Sequence, residues 1–294
     1  MKQRAYHPLG RPETTAPDPR RVVGVDVGAT LAKIALRSRD DAAPDFDLVP
    51  SQAPAKVMEA VVRLEPRSVG LTGGGAAELA RLLPWDTARV NEFAAWGSGA
   101  AALLRSNGTA PGERYLLVSL GTGTSIMLVD GMAVTRVGGT ALGGGTLIGL
   151  GTRLTGERRF EALVELATRG VRARVDLRVS DLYRAGEIPL AGELTASAFG
   201  KLARLEEDAE PRHEDLAQAL MGAIGENVAL LCGGLAAVTQ VRKIVYAGST
   251  LRANPVLCDI LCQVTQALGR EPVLLHGGEF AGALGALLLA AQRH

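Results

Sequence analysis

The chain has 294 residues, of which 47% are hydrophobic and 21% charged, and its formal net charge at pH 7 is +1. This length can supply two lobes and a large buried core. Because the charges balance and only 4% of the residues are aromatic, neither a basic phosphate-binding surface nor a base-stacking platform is expected, which excludes nucleic-acid binding.

The three cysteines predict free thiols rather than a disulfide framework or a metal site. Cys258 and Cys262 lie four residues apart on an apolar helical pattern, whereas Cys232 lies in another helix. Free buried thiols are typical of a reducing compartment. No signal peptide or membrane-spanning stretch is recognised, so we expect a cytoplasmic protein with no membrane partner.

The first ordered stretch, residues 22–36, predicts a strand, a glycine-containing turn and a returning strand. It follows residues 1–20, whose four prolines predict a flexible tail. Asp26 stands before the turn and Lys33 after it, so a carboxylate and an ammonium flank backbone N–H groups that an anion can approach. This set suits a metal-bound polyphosphate, although an edge hairpin with solvated charges would look the same. The turn residues are Gly28, Ala29, Thr30 and Leu31.

The segment up to residue 108 predicts alternating strands and helices. Residues 39–50 are polar and predict a turn, and the apolar spacing of residues 57–64 predicts a helix. Further elements are predicted as a strand at 68–72, a helix at 77–83, a strand at 88–91 and a helix at 93–104, with Glu92 at the last junction. The loop-like residues 107–112 mark a boundary between an N-terminal lobe, residues 21–108, and a C-terminal lobe, residues 109–294.

A second hairpin, residues 115–129, repeats the plan of the first. An apolar strand leads into Gly121, Thr122 and Gly123 and a second apolar strand returns. Two such hairpins about ninety residues apart predict two related halves that face each other across a cleft. A nucleotide held between two phosphate-binding turns is the natural use of that arrangement.

A glycine-rich stretch, residues 138–146, follows a strand predicted at 132–137 and leads into a helix predicted at 147–154. Such a loop at a helix N-terminus predicts anion binding through free N–H groups and the helix dipole. The remaining pattern predicts helices at 157–169, 215–238, 255–268 and 280–291 and strands at 243–249 and 272–275. Strands alternating with helices indicate an α/β protein.

Nine motifs occur in one order between residues 22 and 290: Gly24–Lys33, Thr72–Ala76, Asn91–Phe93, Gly121–Ile126, Arg136–Thr146, Asp181–Tyr183, Ala196–Gly200, Gly248–Ser249 and Phe280–Ala286. Together they resemble the type II pantothenate kinases, a group within the acetate and sugar kinase/Hsp70/actin superfamily. The resemblance implies a two-lobed actin-like or ribonuclease H-like ATPase fold. Its mixed sheets would be flanked by helices, with the nucleotide between the lobes and the last helix packed back toward the N-terminal lobe.

The resemblance implies ATP-dependent phosphorylation of the primary hydroxyl of pantothenate to 4′-phosphopantothenate, the first step of coenzyme A biosynthesis. ATP and Mg²⁺ are the implied cofactors. A homodimer is also implied, with the apolar helix at 215–238 as the expected contact. Members of the family differ in feedback by coenzyme A or its thioesters, so a feedback ligand of that kind stays open.

The resemblance also implies roles for individual residues. Glu92 matches the general base, Asp26 the residue that holds Mg²⁺ directly or through water, and Lys33 a phosphate contact. The implied substrate-side residues are Glu92, Thr122, Ser125 and Arg136, and Arg136 is also counted among the catalytic residues. The implied ATP-binding residues are Gly28, Ala29, Thr30, Leu31, Lys33, Gly121, Thr122, Gly123, Gly143, Gly144, Gly145, Thr146, Phe199, Gly200, Gly248 and Ser249.

Each charged candidate also has a purely structural interpretation. Glu92 could be a first-turn residue that favours its helix dipole, Lys33 a solvated strand-end lysine, and Arg136 an ordinary surface arginine. Two other functions stay open as well. One is a different sugar or acyl kinase of the superfamily, and the other is a nucleotide-gated activator ATPase.

Overall fold

A computed structural model describes residues 21–37, 43–110, 112, 114–187, 192–204 and 210–292, so the predicted flexible tail lies outside the described residues. Its strands are β1 (Val22–Val27), β2 (Leu31–Arg37), β3 (Asp45–Pro50), β4 (Ser68–Thr72), β5 (Ala88–Arg89), β6 (Arg114–Leu120), β7 (Thr124–Asp130), β8 (Ala133–Thr140), β9 (Leu177–Arg178), β10 (Thr195–Ser197), β11 (Lys243–Ala247) and β12 (Glu271–Leu274). Its α-helices are α1 (Pro54–Val62), α2 (Ala76–Leu82), α3 (Glu92–Ser106), α4 (Gly144–Thr155), α5 (Phe160–Arg169), α6 (His213–Val238), α7 (Pro255–Ala267) and α8 (Ala281–Ala291).

Two five-stranded mixed sheets share one topology. The strand order is β3-β2-β1-β4-β5 in the first sheet and β8-β7-β6-β11-β12 in the second. In each sheet the first three strands in sequence form an antiparallel meander, and the last two run parallel to the first. The prediction of an α/β protein with two related halves is therefore confirmed. Strands β9 and β10 form a separate small ribbon.

The hydrophobic core follows this division into two sheets. Valines of β1 and the apolar faces of α1 and α2 form one cluster on the first sheet. Helices α4 to α7 bury a larger cluster on one face of the second sheet. The division of the chain into lobes at residues 108 and 109 stays a prediction.

Helix α8, at the C-terminal end of the chain, packs on the first sheet. Gly24 of β1 and Gly70 of β4 make this close approach possible, because a Cβ atom at either position would overlap the helix backbone at Ala283 or Ala286. Helix α3 crosses α8 with equally little space at Gly99. The ends of β1, α3 and α8 are thereby fixed relative to one another.

Two parts of the predicted secondary structure are wrong. Residues 45–50 form the edge strand β3, paired with β2, rather than a turn. Residues 138–140 belong to β8, and α4 begins at Gly144 rather than at Leu147. Gly139 tolerates the strand because its missing side chain leaves room for the Arg136 guanidinium and the Thr124 carbonyl. The glycine-rich loop therefore shrinks to residues 141–143.

Helix α6 is the one described helix that is long and apolar enough to cross a bilayer by length and composition. Half of its most apolar window is buried inside the protein, so this is weak evidence for a membrane span. Its exposed side chains include Leu230 and Val238, the latter 81% exposed.

Candidate active site

The first part of the site is a buried ion pair in the β1–β2 hairpin. Asp26 and Lys33 are directly opposite each other in the antiparallel register. The Lys33 Nζ lies 3.8 Å from Asp26 Oδ2, and both side chains are at most 10% exposed. Burial raises the pKa of Asp26, and the nearby Lys33 ammonium lowers it by a smaller amount. The interpretation of two solvated charges is therefore wrong.

Glu92 is the first residue of α3, and Val90 and Asn91 separate it from the end of β5 at Arg89. The side chain of the preceding Asn91 caps the helix by accepting a hydrogen bond from the Ala94 N–H at 3.1 Å. Partial burial raises the pKa of Glu92, the Asp26 carboxylate raises it further, and Lys33 lowers it. The pKa of Glu92 thus depends on the charges of Asp26 and Lys33. A residue that acts only on the helix dipole would not need this interaction.

The second part of the site is an assembly of three glycine-containing turns. The Gly144 and Gly145 N–H groups donate to the carbonyls of Gly121 and Thr122 at 2.8 and 2.9 Å. The Thr250 hydroxyl donates to the same Gly121 carbonyl at 2.8 Å. The β6–β7 turn is therefore joined both to the N-terminus of α4 and to the turn that follows β11.

These bonds correct one expectation about α4. The first two N–H groups of the helix are already used, so they are not free to bind an anion. Among the described residues, the Thr146 N–H has no backbone partner, and the Thr146 hydroxyl donates to the Ala141 carbonyl at 3.0 Å. Gly143 is buried against the β6–β7 turn, where a Cβ would lie 2.7 Å from the Thr122 carbonyl oxygen.

The turn that follows β11 packs against the end of β6, directly before the β6–β7 turn. Gly248 has a φ of +111°, and a side chain there would overlap the Leu120 carbonyl, so only glycine fits this close approach. Ser249 begins a short 3-10 turn after it. The structure thus brings Gly121, Thr122, Gly143, Gly144, Gly145 and Gly248 together, as the predicted ATP site requires.

The two hairpin turns meet each other. The hydroxyl oxygens of Thr30 and Thr122 lie 3.2 Å apart, within hydrogen-bond distance. The first turn is closed by the Gly28 N–H, which donates to the Leu31 carbonyl at 3.2 Å. Backbone hydrogen bonds within the described part of the chain leave the N–H groups of Ala29, Thr30, Thr122 and Gly123 unused. Four free donors therefore line the junction of the turns.

Two predicted substrate-side residues form a pair on the second sheet. The Arg136 Nε donates to the Ser125 hydroxyl at 3.2 Å, and Arg136 is exposed. A register shift between Ile126 and Met127 accompanies this part of the β7–β8 pairing. An exposed guanidinium held beside a hydroxyl can bind a carboxylate.

Phe199 and Gly200 lie in a different environment. The Phe199 N–H donates to the buried Asp176 carboxylate at 2.9 Å, and Gly200 packs against Leu177. Asp176 in turn accepts from the Arg172 Nε at 2.7 Å. These contacts fix Phe199 and Gly200 to the residues at the start of β9, and the role of the two residues in ATP binding stays a prediction.

Two residues escaped prediction: Thr250 in the site and Asp176 beside Phe199. Thr250 could have been noticed as a hydroxyl directly after Gly248 and Ser249, in the same turn. The pairing of Asp176 with Arg172 is local, at a spacing of four residues, but its bond to Phe199 spans 23 residues and depends on the fold.

The donor set near the first turn fits a magnesium ion. Asp26 is 4% exposed, and no hydrogen bond within the described chain reaches its carboxylate. Mg²⁺ in phosphoryl-transfer sites takes one or two carboxylates together with phosphate oxygens and water. A single buried carboxylate close to turns with unused N–H groups is compatible with that requirement.

Known structures share the overall fold of this chain. Component A of (R)-2-hydroxyglutaryl-CoA dehydratase from Acidaminococcus fermentans matches with a TM-score of 0.63 at 17% identity, covering 93% of this chain and 98% of that one. A ROK family glucokinase from Streptomyces griseus, in complex with glucose and AMPPNP, matches with a TM-score of 0.58 at 12% identity, covering 92% and 99%. The fold is therefore that of the actin-like ATPases, the class to which such kinases and activators belong.

Sequence similarity is more specific than this fold. The Fumble family model matches residues 105–289. The type II pantothenate kinase of Staphylococcus haemolyticus is 35% identical over 271 residues, covering 91% of this chain and 99% of the relative. The chain belongs to the type II pantothenate kinase family.

Proposed function

We propose that the protein transfers the γ-phosphoryl group of ATP to the primary hydroxyl of pantothenate. The observation that carries this proposal is the junction of the two hairpin turns, where Thr30 meets Thr122 and four N–H donors are free. A charged cluster accompanies this junction: Asp26 and Lys33 lie on the first hairpin and Glu92 on α3. Family membership selects pantothenate as the acceptor.

In the proposed reaction Glu92 accepts the proton of the acceptor hydroxyl as its oxygen attacks the γ-phosphorus. The bond to the oxygen that bridges the β- and γ-phosphates breaks, and ADP leaves. The raised pKa of Glu92 makes it a better base than an ordinary glutamate. The free N–H groups and Lys33 hold the phosphates in place, because phosphoryl transfer depends mainly on positioning and charge neutralisation.

Asp26 is the proposed residue for Mg²⁺, directly or through water. When bound, the ion would neutralise charge on the β- and γ-phosphates. When no nucleotide is bound, the single positive charge of Lys33 offsets part of the negative charge of Asp26 and Glu92. Arg136 and Ser125 are the proposed contacts to the carboxylate or polar groups of pantothenate.

We further propose a cytoplasmic homodimer with two lobes that meet at residue 108. The exposed Leu230 and Val238 of α6 support a second copy of the chain as the partner of this helix. Light scattering should give twice the chain mass, and a Leu230→Glu, Val238→Glu double variant should give the monomer mass. An unchanged mass would place the dimer contact elsewhere.

The test of the function is an ADP-release assay with Mg-ATP and a panel of acceptors, namely pantothenate, pantetheine and common hexoses. Turnover with pantothenate is expected. Turnover with hexoses alone would assign the protein to the sugar kinases, and acceptor-independent hydrolysis would favour an activator ATPase. Repeating the assay with added coenzyme A and acetyl-CoA tests for a feedback ligand.

A further inference from the structure

The Asp26 carboxylate is enclosed by two glycines from different parts of the chain. A Cβ atom built on Gly73 would lie 2.6 Å from Asp26 Oδ1, and one built on Gly282 would lie 2.6 Å from Oδ2. Gly73 follows β4, and Gly282 is in the first turn of α8. The carboxylate therefore fills space that a side chain at either position would occupy.

The two glycines differ in what else they tolerate. Gly73 has a φ of +86°, and a side chain there would also meet the Val27 carbonyl at 2.7 Å, so any substitution strains the backbone. Gly282 has no such restriction, because its backbone is helical. The three nearest atoms to a Cβ at Gly282 all belong to the Asp26 side chain, at 2.6, 2.9 and 3.1 Å.

We propose that Gly282 is a positioning residue for Asp26. It keeps the carboxylate in the orientation needed to hold a phosphate-bound divalent cation. The inference rests on the proposed role of Asp26 in the kinase. Glycine is otherwise a poor choice in the first turn of a helix, since alanine is favoured there by intrinsic propensity. The absence of a side chain at this position is therefore explained by the carboxylate and not by the helix.

The same distances indicate which atoms must move when a side chain is added at Gly282. The two contacts below 3 Å, to Oδ2 and Cγ of Asp26, can be relieved by rotation of that side chain, whereas the contact to its Cβ at 3.1 Å needs a shift of a few tenths of an ångström. In a Gly282→Ala variant we therefore expect the Asp26 carboxylate to rotate away with only a small shift between α8 and β1. Displacing one reacting group by about 1 Å typically reduces the rate about 10²-fold.

The experiment compares Gly282→Ala with Gly149→Ala. Gly149 is an exposed glycine of α4, and a Cβ there would meet nothing within 4 Å, so it reproduces the change in helix propensity alone. Three quantities are measured for both variants and the wild type: the thermal midpoint without nucleotide, the Kd for ATP in Mg²⁺ and in EDTA, and kcat with the KM for Mg²⁺.

Gly282→Ala should keep or raise the thermal midpoint, keep the Kd for ATP in EDTA, and lose most of the gain in ATP affinity that Mg²⁺ gives. Its kcat should fall at least tenfold and its KM for Mg²⁺ should rise. Gly149→Ala should keep the wild-type kcat, KM for Mg²⁺ and Kd values, and its thermal midpoint should rise because alanine favours the helix. The proposal would be overturned if Gly282→Ala gained as much ATP affinity from Mg²⁺ as the wild type does and had an unchanged kcat. A lowered thermal midpoint would overturn it too, because the helix and not the carboxylate would then have moved.

These readouts separate the inference from the proposed function. The Mg²⁺-dependent affinity for ATP is measured without an acceptor, so it does not depend on the identity of the phosphorylated alcohol. A wild-type protein that binds Mg-ATP but ignores pantothenate would contradict the proposed function and leave the role of Gly282 to be decided by the same titrations.

Discussion

Replacing Glu92 with glutamine distinguishes a general base from a residue that only stabilises its helix, because the two roles predict different losses of kcat. Glutamine keeps the shape of the side chain but cannot accept a proton from the substrate. If Glu92 is the general base, kcat should fall by about 10²–10⁴-fold, which corresponds to roughly 3–5 kcal/mol of transition-state stabilisation. If Glu92 only complements the dipole of α3, the change costs about 0.3–1 kcal/mol of stability and leaves kcat unchanged.

The structure adds a second readout to this variant. Burial and the Asp26 charge raise the pKa of Glu92, so the wild-type kcat should decline on the acid side at a pH above the ordinary pKa of glutamate. The residual activity of Glu92→Gln should lack this decline. Its Kd for ATP should equal that of the wild type, because the glycine turns bind the nucleotide.

Glu161 provides the matched control for this experiment. It is also a glutamate in the first turn of a helix, α5, and it is exposed. The Glu161→Gln variant should keep the wild-type kcat and pH profile. A kcat for Glu92→Gln within threefold of the wild type, or an equal loss in Glu161→Gln, would refute the assignment of Glu92 as the base.

Three further changes test other parts of the site. Asp26→Asn should abolish the Mg²⁺-dependent gain in ATP affinity. Because burial raises the pKa of Asp26 in the folded protein, its charge costs the wild type stability above the ordinary aspartate pKa, so the thermal midpoint of the variant relative to the wild type should rise as the pH increases from about 4 toward neutrality. Asp176→Ala removes the acceptor of the Arg172 Nε and of the Phe199 N–H, while Arg172 keeps its ion pair with Glu226, and should lower the free energy of unfolding in urea by about 1–3 kcal/mol; Asp130→Ala, in an exposed ion pair, should cost at most about 1 kcal/mol. Thr250→Val removes a donor to the Gly121 carbonyl, so calorimetry should show weaker ATP binding, with about 1 kcal/mol lost.

The features that the sequence predicts correctly are local ones. Both hairpins combine β-branched or apolar runs with small-residue turns, and these signals act within fifteen residues. Repetition of the plan predicts the duplicated sheets. The position of Asp26 opposite Lys33 also follows from a tight turn between antiparallel strands, which fixes the register.

The features that were missed depend on distant parts of the chain. Strand β3 follows a polar stretch of sequence and lies at a sheet edge, where its backbone pairs with β2. Gly139 lies in a strand because it pairs with Ser125 of β7, and glycine fits there because Arg136 and Thr124 occupy the space beside it. The use of the Gly144 N–H by the Gly121 carbonyl cannot be read from either segment alone, since 23 residues separate them.

The position of α8 links two distant parts of the sequence during folding. The strands of the first sheet are synthesised well before α8, yet it is this helix that packs over Gly24 and Gly70. Until α8 has been synthesised, that face of the nascent sheet lacks this helix, and exposed strands of this kind invite association with other chains. A truncation that removes α8 should therefore destabilise the first sheet, which is encoded far upstream.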